Sequence, residues 1–363
     1  MTSVRYSSPL RAARPLRGAS SSRSAIGTAL VALVAVTACN RSATTEASAG
    51  PAASPTGGQP VTETRAAGPA QQTDAATHGE GASANDRVSA DRRAARAPVQ
   101  PVIVRERYAW LASDAERPPE VEPLEARYPP PEGFTRVELG TKSFGEWLRG
   151  LPLAAPGTPV RTYRGDVRYG ADDRRIASVV AIDVGKADLQ QCADTVMRLH
   201  GEWAWSQGRR DISYDAASGM PLPYQRFARG EHVAMEGNRL VWKPGRVAAT
   251  GHAGFREFMN MVFAWSNTVS LARQAAKVAP GDVRPGDFFV SPGNPGHTVL
   301  ILDLARDSSG RAVALIGQSY MPAQSFYVLR GDRDPWFTLV AGKSVDTPFW
   351  EPFPWEALRR LDG

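Results

Sequence analysis

The chain has 363 residues, which is enough for one sizeable core, and its formal net charge at pH 7 is +6. Residues 1–38 contain five arginines and no acidic residue. Loss of that segment would lower the net charge from +6 to +1, so the remaining chain has no electrostatic basis for binding nucleic acid. Nucleic acids are therefore not expected among its partners.

Residues 1–38 have the pattern of an N-terminal signal peptide. The arginines precede an apolar stretch, residues 25–38, that is too short to remain as a membrane-spanning helix. The stretch ends in Val36-Thr37-Ala38-Cys39, which resembles a bacterial lipobox, where a small residue precedes a cysteine that is lipidated after cleavage. The resemblance implies a lipoprotein of the cell envelope, held on a membrane by a lipid on Cys39 and facing the periplasm in a Gram-negative cell. An ordinary secretory signal with a chance cysteine is the alternative.

The composition after Cys39 divides the rest of the chain into three parts. Residues 39–100 are rich in small and polar residues, cannot bury enough apolar surface to fold, and are expected to form a lipid-anchored disordered linker. Residues 101–127 are expected to be an extended segment, in which Tyr108, Trp110 and Leu111 could dock on the domain. Residues 128–363 are expected to form a single globular domain.

Two capping-box patterns predict helices. Ser143 and Glu146 predict a short helix that ends near Arg149. Asp188 and Gln191 have the same spacing and predict an amphipathic helix with Cys192 in its first turn. The macrodipole at that end favours a thiolate and lowers the pKa of the thiol. The alternative is that Cys192 is a small buried member of the apolar stripe.

Residues 281–320 predict three strands around one histidine. A strand over residues 287–290 is followed by an apolar strand that begins at His297, and residues 312–317 return as its hairpin partner. If Arg306 faces Arg311, then Gln318 faces Val299, and His297, Gln318 and Tyr320 share one face of the sheet. A neighbouring polar side chain could then orient the imidazole. The alternative is a histidine that only caps a strand.

Three segments resemble, in this order, parts of the papain-like cell-wall amidohydrolases of the CHAP and NlpC type. Gln191-Cys192 with its helix resembles their nucleophile helix, RPGDFFV (284–290) their Pro-Gly-Asp strand, and GHTVLI (296–301) their Gly-His strand. Ala193-Asp194 departs from the usual Ser-Gly, and the long interval between cysteine and histidine requires a large insertion. The resemblance implies an α+β, papain-like domain in which a helix carrying Cys192 packs on an antiparallel sheet carrying His297.

The same resemblance implies roles for the site residues. Cys192 would be the nucleophile, His297 the base and acid, and Gln318 the orienting side chain, with Asp303 as the alternative orienter six positions along the strand. The implied substrate is an amide bond, such as those of peptidoglycan peptides. The alternative is a non-catalytic lipoprotein that keeps the fold for binding or cell-wall anchoring. No cofactor is expected, and the five histidines lack the spacing of a metal site.

A second resemblance covers most of the domain. The run from Tyr128 to Trp336 is similar to a family of bacterial envelope lipoproteins known only as a domain of unknown function. The segments that carry it are QCADTVMRLHGEW, PGDFFVSPGNPGHTVLILDLA and GQSYMPAQ. This resemblance implies a shared fold and an envelope location, and it brings no established activity.

Overall fold

The computed structural model describes residues 101–113, 117–331 and 334–363, and these form an α+β fold, which confirms the predicted class. The signal peptide, Cys39 and the linker to residue 100 lie outside the described residues.

The elements follow one another in mixed order along the chain. The α-helices are α1 (Leu124–Arg127), α2 (Phe144–Arg149), α3 (Cys192–Ser206), α4 (Tyr224–Ala228), α5 (Gly251–Trp265) and α6 (Thr268–Gln274). The strands are β1 (Glu120–Pro123), β2 (Phe134–Arg136), β3 (Pro152–Ala154), β4 (Val160–Arg161), β5 (Val167–Tyr169), β6 (Ile176–Val179), β7 (Ser213–Asp215), β8 (Pro221–Pro223), β9 (Glu231–Glu236), β10 (Arg239–Pro244), β11 (Ala276–Lys277), β12 (Phe288–Ser291), β13 (His297–Asp307), β14 (Ala312–Gln318), β15 (Tyr327–Leu329), β16 (Trp336–Leu339) and β17 (Leu358–Arg360).

One antiparallel sheet organises the domain. Its order is β11-β17-β12-β13-β14-β15-β6, with β16 also paired to β14 and β2 to β13. Residues 297–305 of β13 and all of β14 are buried. Because both faces of these strands are covered, their sequence is a nearly continuous apolar run rather than an alternating one.

The two faces of the sheet carry separate cores. On one face, Leu300 and Leu315 pack with side chains of α3 and α5, among them Val196 and Phe258. On the other face, the core is built from strand residues and the C-terminal segment, among them Val299, Ile316, Tyr327, Phe353 and Trp355. The helix α3, which begins at Cys192, therefore packs on the antiparallel sheet. The central strand of this sheet, β13, begins at His297.

The hairpin register is as predicted at the end where the site lies. Leu300 pairs with Gly317 and Ile301 with Ile316, which is the predicted alignment. A β-bulge between Ile301 and Asp303 shifts the pairing by one residue towards the hairpin loop. Arg306 consequently pairs with Ala312, and the prediction that it faces Arg311 is wrong because the bulge adds one unpaired residue to β13.

The helix that carries Cys192 begins later than predicted. Its N-cap is Gln191, and the capping box is formed by Gln191 and Asp194 rather than by Asp188 and Gln191. Cys192 is thus the first helical residue. The long interval between α3 and β12 contains β7 to β11 and α4 to α6.

Tyr108, Trp110 and Leu111 are buried in the core, so packing of the domain extends to residues before 128. Trp110 is fully buried and its indole Nε1–H donates a hydrogen bond to the carbonyl of Ala181 at 2.8 Å. The Tyr108 hydroxyl donates to the carbonyl of Trp147, also at 2.8 Å. Large aromatic side chains bury much apolar area, and here their polar tips also find partners, which explains why this segment docks. No helix within the described ranges is both long and apolar enough to cross a bilayer.

Candidate functional site

The start of α3 meets the start of β13. The backbone N–H of Gln191 donates to Asp194 Oδ2 at 3.0 Å, which closes the capping box and fixes the first turn of the helix. Cys192 Sγ lies 3.8 Å from the carbonyl oxygen of Gly296, the residue before His297. The fold therefore brings Cys192 into contact with the residue that precedes His297, 104 positions along the chain.

The Cys192 thiol is protonated in this arrangement. Cys192 is only 5% exposed. Burial, helped by the neighbouring Asp194 carboxyl, raises the pKa of the thiol to about 12, although backbone N–H groups of Ala193 and Thr298 oppose this increase. The prediction that the helix start lowers the pKa is wrong for this closed site, because the cost of burying a thiolate exceeds the effect of the helix terminus.

His297 is held through one of its two ring nitrogens. The residue is fully buried, and Nε2 lies 2.8 Å from Gln318 Oε1. Nδ1 is buried and has no hydrogen-bond partner in the described part of the chain. Burial lowers the pKa of His297 to about 4, against the opposing effect of the Gln318 hydrogen bond, so the ring is neutral at pH 7.

Gln318 is in turn held by the next strand. It is the last residue of β14 and pairs with Tyr327 of β15. Its Nε2 donates to the Tyr327 hydroxyl at 2.8 Å, which leaves Oε1 facing His297. Tyr327 was not among the residues predicted for the site. The signal was present, since this tyrosine carries a polar tip in the otherwise apolar strand run FYVL.

Asp303 does not reach the histidine. Its carboxylate lies 2.6 Å from Arg136 Nε and 2.7 Å from Arg149 Nε, and Oδ1 also accepts the backbone N–H of Leu304. The β-bulge places Asp303 on the face of α2 and α3, opposite to the face of His297. Its role as the alternative orienter is therefore contradicted by the structure.

An aromatic loop, residues 345–353, covers His297. Two backbone hydrogen bonds between Val345 and Phe353 close the base of this loop. At its tip, the ring of Trp350 lies 5.0 Å from that of His297, and Phe349 adopts a positive φ of 80°. A positive φ is unfavourable for a large side chain, so the surrounding contacts hold the tip in place.

Tyr320 joins this aromatic loop to the site. Its ring centroid lies 4.8 Å from that of His297, and its hydroxyl donates to the carbonyl of Phe349 at 3.2 Å. Burial raises the pKa of the Tyr320 phenol. These aromatic side chains thus separate His297 from solvent.

Of the residues predicted for the site, His297 and Gln318 are joined by a hydrogen bond, and Cys192 contacts the residue before His297. Within the described residues, no hydrogen bond joins Cys192 to a ring nitrogen of His297; the thiol contacts the Gly296 carbonyl instead. The described residues also contain no group of three or more His, Cys, Asp or Glu side chains suited to hold a metal ion.

Comparison with protein-family models gives a match over residues 124–360, which is more than half of the chain. The comparisons with curated proteins and with solved structures give no match. The matched range contains Cys192, His297 and Gln318, and it begins after the docked segment around Trp110. The chain belongs to the family described as domain of unknown function 4846.

Proposed function

We propose that Cys192, His297 and Gln318 form a cysteine hydrolase site, papain-like in its arrangement, that acts on amide bonds and is closed in this structure. The observation that carries the proposal is the different environment of the two ring nitrogens of His297. Gln318 holds the ring through Nε2, while Nδ1 is buried without a partner beside the residue whose carbonyl contacts Cys192 Sγ. An unpaired buried polar atom lowers the stability of the fold by about 1–3 kcal/mol. A catalytic role for Nδ1 as the base that accepts the thiol proton would explain why this cost is retained.

The proposed reaction uses Nδ1 as the proton carrier. The thiol proton passes to His297 Nδ1 as Cys192 Sγ bonds to the carbonyl carbon of the amide. His297 then returns the proton to the amide nitrogen as the C–N bond breaks, which releases the amine and leaves a thioester. A water molecule then gives one proton to Nδ1 and its hydroxyl to the acyl carbon. The C–S bond breaks, the acid leaves, and Nδ1 returns the proton to Cys192 Sγ. Backbone N–H groups at the start of α3 are placed to stabilise the oxyanion.

The closed state accounts for the high pKa of Cys192. Burial is the main reason that the pKa of the thiol is raised to about 12. Movement of the aromatic loop that admits solvent or substrate would remove this burial and lower the pKa. The backbone N–H groups of Ala193 and Thr298, which favour the thiolate, remain. Opening would thus convert an unreactive thiol into one that His297 can deprotonate.

The substrate class and the setting rest on resemblance. The order of the three site segments resembles that of the cell-wall amidohydrolases, which favours peptide amides of peptidoglycan as substrates. The lipobox resemblance at Cys39 favours a protein held on a membrane of the cell envelope by a lipid.

A non-catalytic function is the second candidate, and specific observations favour it. Cys192 and His297 are both buried, and the thiol contacts a carbonyl oxygen rather than the imidazole. In that case, the protein would keep the fold for binding or cell-wall anchoring, and Cys192 would be an inert core residue.

The pH dependence of Cys192 alkylation separates these candidates. The full chain is used with Cys39→Ser, so that Cys192 is the one remaining thiol, and with Trp350→Ala to open the site. The hydrolase proposal expects a thiol pKa well below about 8.5 that returns towards that value when His297→Ala is added. Hydrolysis of peptidoglycan peptides by the opened variant, lost in Cys192→Ser, is the matching activity assay. A thiol that titrates near 8.5 both with and without His297 would overturn the proposal and favour the binding function.

A further inference from the structure

A buried chain of hydrogen bonds continues beyond His297 into the sheet. His297 Nε2 lies 2.8 Å from Gln318 Oε1, and Gln318 Nε2 lies 2.8 Å from the Tyr327 hydroxyl. The Gln324 amide nitrogen lies 3.4 Å from the same hydroxyl. These four residues are at most 1% exposed, so water does not compete for their hydrogen bonds. Each partner in the chain therefore constrains the next.

The orientation of the Gln318 amide decides which nitrogen of His297 carries the proton. If Oε1 faces the ring, Nε2 must carry the hydrogen and Nδ1 is left with its lone pair. If the amide turns by 180°, its NH₂ group faces the ring, so Nε2 must be the acceptor and Nδ1 carries the hydrogen. Only the first orientation leaves Nδ1 able to accept a proton from Cys192.

The Tyr327 hydroxyl can select between these orientations because it has one proton to donate. Gln324 Oε1 is buried and has no partner in the described residues. A 180° turn of the Gln324 amide puts that oxygen where the nitrogen now lies, 3.4 Å from the Tyr327 hydroxyl. The hydroxyl proton then goes to Gln324, and the hydroxyl oxygen is left to accept from Gln318 Nε2.

We infer that Tyr327, with Gln324 as the acceptor of its proton, is the positioning residue that fixes His297 in the tautomer with hydrogen on Nε2. The inference rests on the proposed function for its catalytic meaning, since that tautomer is the one in which Nδ1 can act as the base. Neither Tyr327 nor Gln324 takes part in the proton transfer itself. The effect reaches His297 through the orientation of the Gln318 amide.

The test is the tautomer of His297, read from the ¹⁵N resonances of the two ring nitrogens in the full chain at pH 7. His297 is neutral at this pH because burial lowers its pKa to about 4, and protonated and unprotonated ring nitrogens give well-separated signals. The His297 signals are assigned by their loss in His297→Gln. We expect hydrogen on Nε2 in the wild type. We expect a mixture of tautomers in Tyr327→Phe, where nothing anchors the amide nitrogen of Gln318.

Gln324→Met should give a clearer change than Tyr327→Phe, because it should convert one tautomer of His297 into the other rather than into a mixture. Without the Gln324 acceptor, the Tyr327 hydroxyl must donate to the oxygen of Gln318, which turns the amide, and the hydrogen of His297 moves to Nδ1 although the substituted side chain does not touch the ring. Tyr108→Phe is the matched control, because it removes one buried hydroxyl that donates to the Trp147 carbonyl, away from the site. It should leave the tautomer unchanged.

The outcomes separate this inference from the proposed function. If hydrogen stays on Nε2 in both Tyr327→Phe and Gln324→Met, the inference is wrong. If Tyr327→Phe does not fold, Gln324→Met decides alone. The tautomer is measured without any reaction of the thiol, so a change of tautomer together with an inert Cys192 would support the positioning role and overturn the hydrolase proposal.

Discussion

Asp303 and His297 lie six residues apart on strand β13 and face opposite sides of the sheet. Asp303 pairs with Leu315, whose side chain belongs to the core beneath α3. His297 packs against Phe353, which belongs to the core on the other face. The bulge between Ile301 and Asp303 reverses the alternation of side chains along the strand. Asp303 therefore acts on stability, and Gln318 acts on the histidine.

Substitutions of Asp303 and Gln318 should have separable effects, the first on stability and the second on the pKa of His297. Asp303→Asn removes a buried carboxylate that two arginines contact, and we expect the free energy of unfolding to fall by about 3 kcal/mol while the pKa of His297 stays near 4. Gln318→Leu removes the hydrogen bond that opposes the effect of burial, so the pKa of His297 should fall further. Urea denaturation and an NMR titration of His297 measure the two effects. A changed pKa of His297 in Asp303→Asn would contradict the assignment.

The folded protein should become less stable as the pH falls, because His297 binds a proton more readily in the unfolded chain than in the folded one. Its pKa is about 4 in the folded state and about 6.5 in an unfolded chain, so between these values the unfolded state binds more protons. The contribution of His297 to the free energy of unfolding is fully present above pH 6.5 and is lost as the pH falls towards 4. It amounts to at most about 3 kcal/mol.

Urea denaturation between pH 4.5 and 6.5 checks this dependence. We expect the slope of the unfolding free energy against pH to be smaller in His297→Gln than in the wild type, by about 1 kcal/mol per pH unit. His200 is a comparison, because burial also lowers its pKa to about 4, and His200→Gln should reduce the slope in the same direction. Equal slopes in His297→Gln and the wild type would show that His297 is not buried in its neutral form.

Removal of the indole at the tip of the aromatic loop should expose the thiol. Trp350 packs on the rings of His297 and Tyr320. Loss of these two ring contacts should raise the rate of Cys192 alkylation at pH 8 by about tenfold, since each is worth roughly 0.5–1.5 kcal/mol. Trp242→Ala, on the β9–β10 hairpin, is the matched control and should leave the rate unchanged. Equal rates in Trp350→Ala and the wild type would mean that other residues close the site.

Arg198 should be among the residues on which stability depends most. It is fully buried in α3, where it contacts Glu202 Oε1 at 2.7 Å, Gln190 Oε1 at 2.9 Å and Asp183 Oδ1 at 3.0 Å. Arg198→Met leaves two carboxylates without their shared cation, and we expect a loss of about 3–5 kcal/mol in the free energy of unfolding. Arg246→Gln, in an exposed pair with Glu257, is the control and should cost less than about 1 kcal/mol. Similar losses in the two variants would contradict the prediction.

Local patterns were sufficient to predict the elements that bring the site together. The apolar stripe of α3 and the hairpin of β13 and β14 have clear periodicity. The alignment at the site end, where Leu300 pairs with Gly317, was predicted correctly because the wrong Arg306–Arg311 pairing and the unpredicted bulge offset each other by one residue. The bulge near Ile301 was not predictable, because an extra residue in a nearly continuous apolar run does not change its hydrophobic pattern. The sequence left open whether Cys192 is reactive or buried. The loop that covers His297 was not predictable, because it comes later in the chain and packs through long-range contacts.

The docked segment around Trp110 also decides how the domain would respond to mechanical load. Tyr108 and Trp110 are buried in the same core as Trp147 and are joined to the domain by side-chain hydrogen bonds. A force that pulls on the chain at residue 101 therefore acts on the hydrophobic core directly, before it can peel any strand from the sheet. The first side-chain hydrogen bond strained would be that of Tyr108 with the Trp147 carbonyl in α2, and the next would be that of Trp110 with the Ala181 carbonyl. Tension applied at residue 101 would thus reach two distant parts of the domain before any strand is separated.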